Sequence, residues 1–97
     1  MATMTTTLGA LLTHTTGYLL EELGLVWDLQ DFVLNKSLMT HQRTSEWADI
    51  RMPILAVYPE LMGMDPPKIE TEADARLWVT LVAEETGLPM DIVWTRI

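Results

Sequence analysis

The chain has 97 residues, 48% of them hydrophobic, with seven Met and four Trp, enough for one domain with a core of its own. It has no cysteine, which excludes a disulfide framework and thiolate chemistry and fits a reducing compartment. Fourteen acidic residues against six basic give a net charge of −8. That balance disfavours direct nucleic-acid binding, which needs clustered Lys and Arg to displace counterions.

The opening "MATMTTTLGALL" lacks the basic start of a secretion signal. No apolar stretch approaches the roughly 20 residues that span a bilayer, so a cytoplasmic protein with no membrane partner is expected. Thr5 to Thr7 offer caps for a first helix, on which Leu8, Leu11, Leu12 and Thr15 share a face before Gly17 stops it. A second helix is expected across "GLVWDLQDFVLNKSL", with Val26, Leu29 and Val33 on one side and Asp28 and Asp31 elsewhere. The segment "TSEWADIRMPILAVYPEL" predicts a third helix, capped by Thr44 or Ser45 and kinked or broken at Pro53. After the turn "GMDPPKIE", Thr71 and Asp74 form a capping box. Leu77, Trp78, Leu81, Val82 and Glu85 then make a stripe that ends at Gly87. The tail "LPMDIVWTRI" has Pro89 for a first helical turn but strand-like residues after it; a short helix is the expectation, a short strand the alternative. The whole, residues 1–97, reads as a single compact all-α domain of four or five helices.

Charge is uneven along the chain. Glu21, Glu22, Asp28 and Asp31 stand in the first 35 residues with no Lys or Arg among them, and Lys36, Arg43 and Arg51 follow in a short span. Acids dominate again beyond Met52. Two acidic lobes separated by a mildly basic waist are expected.

Chemistry is sparse. The two histidines, His14 and His41, have no ligand-type residue at helical spacing, so neither a metal nor a cofactor is expected. His14 reads as a surface residue near a helix end, where a cation meets the negative dipole, and His41 as a turn residue. The neighbouring pairs Glu21–Glu22 and Glu84–Glu85 point apart on a helix, and no nucleophile or phosphate-loop motif is present. A non-enzymatic protein follows. In "VAEETGLPMDIVWTRI", Ala83, Gly87, Leu88 and Val93 match helix-turn-helix spacing. Arg96 falls where an apolar residue belongs, and Ile97 closes the segment early. An ordinary helical corner is the simpler reading, with a truncated DNA-binding regulator kept as a weak alternative.

Taken together, "TLGALLTHTTGYLL", "VWDLQDFVLNKSLMTHQ" and "PILAVYPEL" resemble an uncharacterised family of small phage and prophage proteins. The likeness is carried by Thr7, Leu8 and Gly9, by Thr15, Thr16 and Gly17, by Thr40, His41 and Gln42, and by Trp78; it departs at the tail and in "LMTHQRTSEW". The resemblance implies a mobile-element protein acting inside a bacterial host cell. With the small size and acidic charge, it implies an anti-CRISPR-like inhibitor that binds a host defence protein, a nuclease or CRISPR effector complex. No motif carries that last step. Mimicry of nucleic acid would set Glu21, Glu22, Asp28 and Asp31 in one row, whereas an apolar wedge would use Trp47 and Trp94, expected to be the exposed tryptophans. The alternative is a phage structural or assembly protein, acting as a homodimer built on the first two helices.

Overall fold

The computed structural model describes residues 2–35 and 47–96, and for Trp47 and Ala48 the backbone alone. The chain opens with strand β1 (Ala2–Thr7) and runs without a loop into helix α1 (Leu8–Thr16). Helix α2 (Leu23–Leu34), helix α3 (Trp47–Val57) and a 3-10 turn (Pro59–Leu61) follow. Helix α4 (Glu72–Thr86) and strand β2 (Asp91–Arg96) complete the described elements. The two strands form an antiparallel sheet with register Ala2↔Arg96, Met4↔Trp94 and Thr6↔Ile92 on the inner face.

The domain is therefore mixed α/β, which corrects the all-α expectation at both ends of the chain. Thr5 and Thr6 belong to β1, and the tail folds as a strand rather than a short helix. Ile92, Val93 and Thr95 are β-branched and suit a pleated surface, as do the threonines opposite them. Local preference alone leaves both segments open. Pairing across nearly the full length of the chain closes the question. It also removes the second helix that a helix-turn-helix reading of residues 83–97 requires.

Helix α1 is the central rod. Leu8 through Thr15 are all buried, and the helix contacts β1, α2, α3 and α4. Its sequence "LGALLTHTT" has no Asp, Glu, Lys or Arg, as a helix enclosed on all sides requires. Thr13 and Thr16 bond to carbonyls of their own helix. Thr13 donates to the Gly9 carbonyl at 2.8 Å, and Thr16 to the Leu12 carbonyl at 2.7 Å, the back-bonding available to helical threonines. His14 is fully buried, not at the surface as its place near a helix end predicts. Its Nε2 lies 2.9 Å from the Val26 carbonyl, so the imidazole ties α1 to the first turn of α2. His41 lies outside the described residues.

The predicted helix ends hold where they depend on adjacent residues. Thr7 caps α1, accepting from the Ala10 N–H at 3.1 Å. Gly17 and Gly87 end α1 and α4 at φ 84° and 76°, the left-handed geometry that glycine adopts without steric cost. Thr71 and Asp74 form the expected capping box. Helix α2 stops at Asn35 in the left-handed region, and the rest of the predicted second helix lies outside the described residues. So do the caps proposed at Thr44 and Ser45, and Lys36 and Arg43 of the basic waist. Pro53 does not break α3, which continues to Val57.

The core joins Leu8, Leu11 and Leu12 of α1 to Leu29 of α2, Ile50 and Ile54 of α3, Leu61, and Ile92 of β2. The inner face of α4 keeps Val82 of the predicted stripe but not Leu77 or Leu81. Ala75, Val79 and Val82 are buried, whereas Leu77 and Leu81 are 61% and 51% exposed. Small side chains let α4 seat on α1, and with nothing described over its far side the larger leucines face outward. The C-terminal strand is clasped to α2: the Arg96 guanidinium lies 4.5 Å over the Phe32 ring and donates to the Phe32 carbonyl at 3.2 Å.

Candidate functional site

A cleft of about 730 Å³ lies beside the junction of β1 and α1. One wall is the connection from Leu19 to Leu23; the other comprises Ile69 to Glu72 and the first turns of α4. Met90 lines it too, held there because its carbonyl accepts from Leu8 N–H at 2.8 Å and so extends the strand pairing.

The first wall is pinned by sequence-local chemistry acting across α1. The Thr7 hydroxyl donates to Glu21 Oε2 at 2.8 Å, and Glu21 Oε1 accepts from the Glu22 N–H at 3.0 Å. Leu20 N–H donates to the Thr13 hydroxyl at 2.9 Å, deeper in. Gly9 makes this approach possible: a Cβ there would stand 3.0 Å from Glu21 Oε2 and 3.2 Å from the Leu20 carbonyl. The wall is thus preorganised, and rigid walls reduce the ordering cost of binding.

Two chemistries meet in the lining. Leu19, Leu23 and Met90 are exposed by 58%, 44% and 40% and supply the aliphatic part of the lining. Around them stand Glu21, Glu22, Glu70 and Glu72, with Arg76 the single basic residue. Glu70 pairs with Lys68 at 3.0 Å, and Glu72 with Arg76 at 3.2 Å, all four side chains being largely exposed. Such pairs contribute little in water, so an incoming cation displaces them at small cost.

Of the residues expected to contact a partner, Glu21 and Glu22 line the cleft and Asp28 and Asp31 do not. Glu22 is the N-cap of α2, whereas Asp28 and Asp31 lie within the helix and outside the lining. Glu21 has its carboxylate engaged within the fold, and Glu22 is exposed. Trp94 is 5% exposed, which corrects its expected role as a surface anchor. It faces inward opposite Met4 and lies 6.3 Å from the Tyr58 ring. Trp47 is placed by its backbone only, as the first described residue of α3. The residues missed from sequence are Leu19, Leu23, Glu70, Glu72 and Met90. One signal was available for the first pair: in "TTGYLLEELGL" an apolar run with two acids follows a glycine helix stop, outside any amphipathic pattern.

A shallower groove of about 200 Å³ lies on the other side of the 69–70 segment, lined by Pro67, Leu77, Trp78 and Leu81 among others. Ile69 and Glu70 border both depressions. Among the described residues, no group of three or more His, Asp or Glu side chains is placed to hold a metal ion. None of the described helices is long and apolar enough to cross a membrane. Comparison with known proteins gives no match to a family model, a curated protein or a solved structure.

Proposed function

We propose that this protein acts by binding another protein, and that the partner is a bacterial host defence protein whose nucleic-acid-binding surface it occupies. The observation that carries this reading is the cleft, where exposed Leu19, Leu23 and Met90 sit among Glu22, Glu70 and Glu72. A surface built to hold nucleic acid is rich in Lys and Arg, and a cleft lined by carboxylates is complementary to it. The net charge of −8 adds long-range attraction toward such a surface. The host setting comes from the phage-family resemblance of the motifs around Thr7, Gly17 and Trp78.

The test is expression in a bacterium whose CRISPR system restricts a phage, with plaque formation as the readout. Restored plaquing, with recovery of the effector complex on the tagged protein and its loss at high salt, is the expected result. Unchanged restriction across several nuclease and CRISPR systems would remove the inhibitor reading.

Self-association is a second reading, favoured by the outward Leu77 and Leu81 of α4. It replaces the dimer on the first two helices, because α1 is buried from Leu8 to Thr15 and offers no face. Light scattering across a hundredfold concentration range tests it: a dimer that dissociates on Leu81→Ser supports it, and a monomer throughout excludes it.

A further inference from the structure

We infer that the cleft is built to receive a short cationic amphipathic segment of the partner protein, its apolar side chains on Leu19, Leu23 and Met90 and its Lys or Arg on Glu22, Glu70 and Glu72. The inference rests on the protein-binding reading above and specifies what is bound and where. Apolar and acidic groups line the same concavity, so an occupant must satisfy both. A purely aliphatic segment would leave the carboxylates desolvated beside it, at a cost that rises as water is excluded. A purely cationic one would leave Leu19, Leu23 and Met90 exposed. A segment with an apolar face flanked by basic residues meets both demands.

Size and rigidity agree with this occupant. About 730 Å³ lies within the range of pockets that enclose a compact ligand, and holds a few side chains rather than a whole domain. The wall does not need to be ordered on binding, because Thr7, Gly9 and Thr13 already hold the Leu20–Glu22 backbone and the Glu21 carboxylate in place. The acids that remain for a partner are held only by exposed ion pairs, Glu70 to Lys68 and Glu72 to Arg76. These rearrange without breaking anything in the core. Attraction between cation and carboxylate is thus available to binding and not consumed by the fold.

The experiment titrates the intact protein with three labelled synthetic peptides of equal length: leucine with arginine on one helical face each, serine in place of leucine, and glutamate in place of arginine. Methyl resonances of Leu19, Leu23 and Met90 report the place, and anisotropy reports the affinity. The leucine–arginine peptide is expected to shift those methyls and bind best. Leu23→Asp and Glu70→Lys are each expected to weaken it about tenfold, the effect of losing one anchor of a small interface. Asp28→Lys makes the same charge change off the cleft and separates site from net charge. Equal weakening by Asp28→Lys and Glu70→Lys, or equal binding of the serine–arginine peptide, overturns the inference. So does binding that leaves the three methyl groups unshifted. Failure here and failure of the inhibitor reading are distinguishable. Phage protection that survives Leu23→Asp defeats the cleft alone, and peptide binding without any effect on host defence defeats the inhibitor reading alone.

Discussion

Thr7 and Glu21 are joined by a 2.8 Å hydrogen bond between residues that flank helix α1 in the chain. The same Thr7 hydroxyl accepts from Ala10 N–H and so caps that helix. One oxygen starts the central rod and holds the cleft wall. Thr7→Val keeps a β-branched residue for the strand but loses both bonds. It is expected to cost about 1–2 kcal/mol in urea unfolding, a cap plus a part-buried hydrogen bond. A double-mutant cycle with Glu21→Ala should recover a coupling of about 1 kcal/mol; strict additivity would mean the bond carries no stability.

Gly9→Ala sets two effects against each other. Alanine is the better helix former by roughly 0.5–1 kcal/mol. Its Cβ, however, meets the Leu20 carbonyl at 3.2 Å and Glu21 Oε2 at 3.0 Å, and overpacking costs about 1–3 kcal/mol. Because one neighbour is backbone, the steric cost is expected to win, lowering the thermal midpoint and shifting the amide resonances of residues 20–22. A stabilised variant would show that this wall yields freely.

His14→Ala leaves a cavity in the core and removes the bond to the Val26 carbonyl. A loss of about 2–4 kcal/mol is expected, read by chemical denaturation. The position near the helix end would instead predict a change within about 0.5 kcal/mol. The size of the loss decides between a surface and a core histidine.

Neighbouring residues of α4 test its phase. Val82→Ala empties part of the core and is expected to cost about 1–2 kcal/mol, whereas Leu81→Ala on the outer side should change stability by less than about 0.5 kcal/mol. A core-sized cost at both positions would restore the predicted stripe, which holds Leu77, Trp78, Leu81 and Val82 together.

Removing the Arg96 guanidinium with Arg96→Ala takes away the stack on Phe32 and the bond to its carbonyl. A cost of about 1–2 kcal/mol is expected, with faster hydrogen exchange at the β1–β2 pairs nearest the chain ends. Exchange that stays unchanged there would mean the strands hold without the clasp.

The features legible in the chain were those with short-range causes. Thr7, Gly17, the Thr71–Asp74 box and Gly87 act on backbone groups within a few residues, so their roles read directly from spacing. The apolar face of Leu8, Leu11 and Leu12 on α1 likewise read from spacing, although not that Gly9, Ala10, Thr13 and His14 would be buried with it. Glu21 and Glu22 were legible as exposed-looking acids, but not as members of a group with Glu70 and Glu72.

Tertiary structure decided the rest, because each remaining feature depends on what lies opposite. The tail "DIVWTRI" becomes a strand only because "ATMTTT" is there to pair with it, Ala2 against Arg96 and Thr7 against Asp91. Trp94 is drawn inside by that register, and α4 turns Ala75 and Val79 inward and leaves Leu77 and Leu81 outside. The cleft arises where a loop after α1, the approach to α4 and the residue before β2 converge. Spacing along a chain encodes the geometry of one turn or one strand; it carries no term for the distance between turns, and that distance is where this site is made.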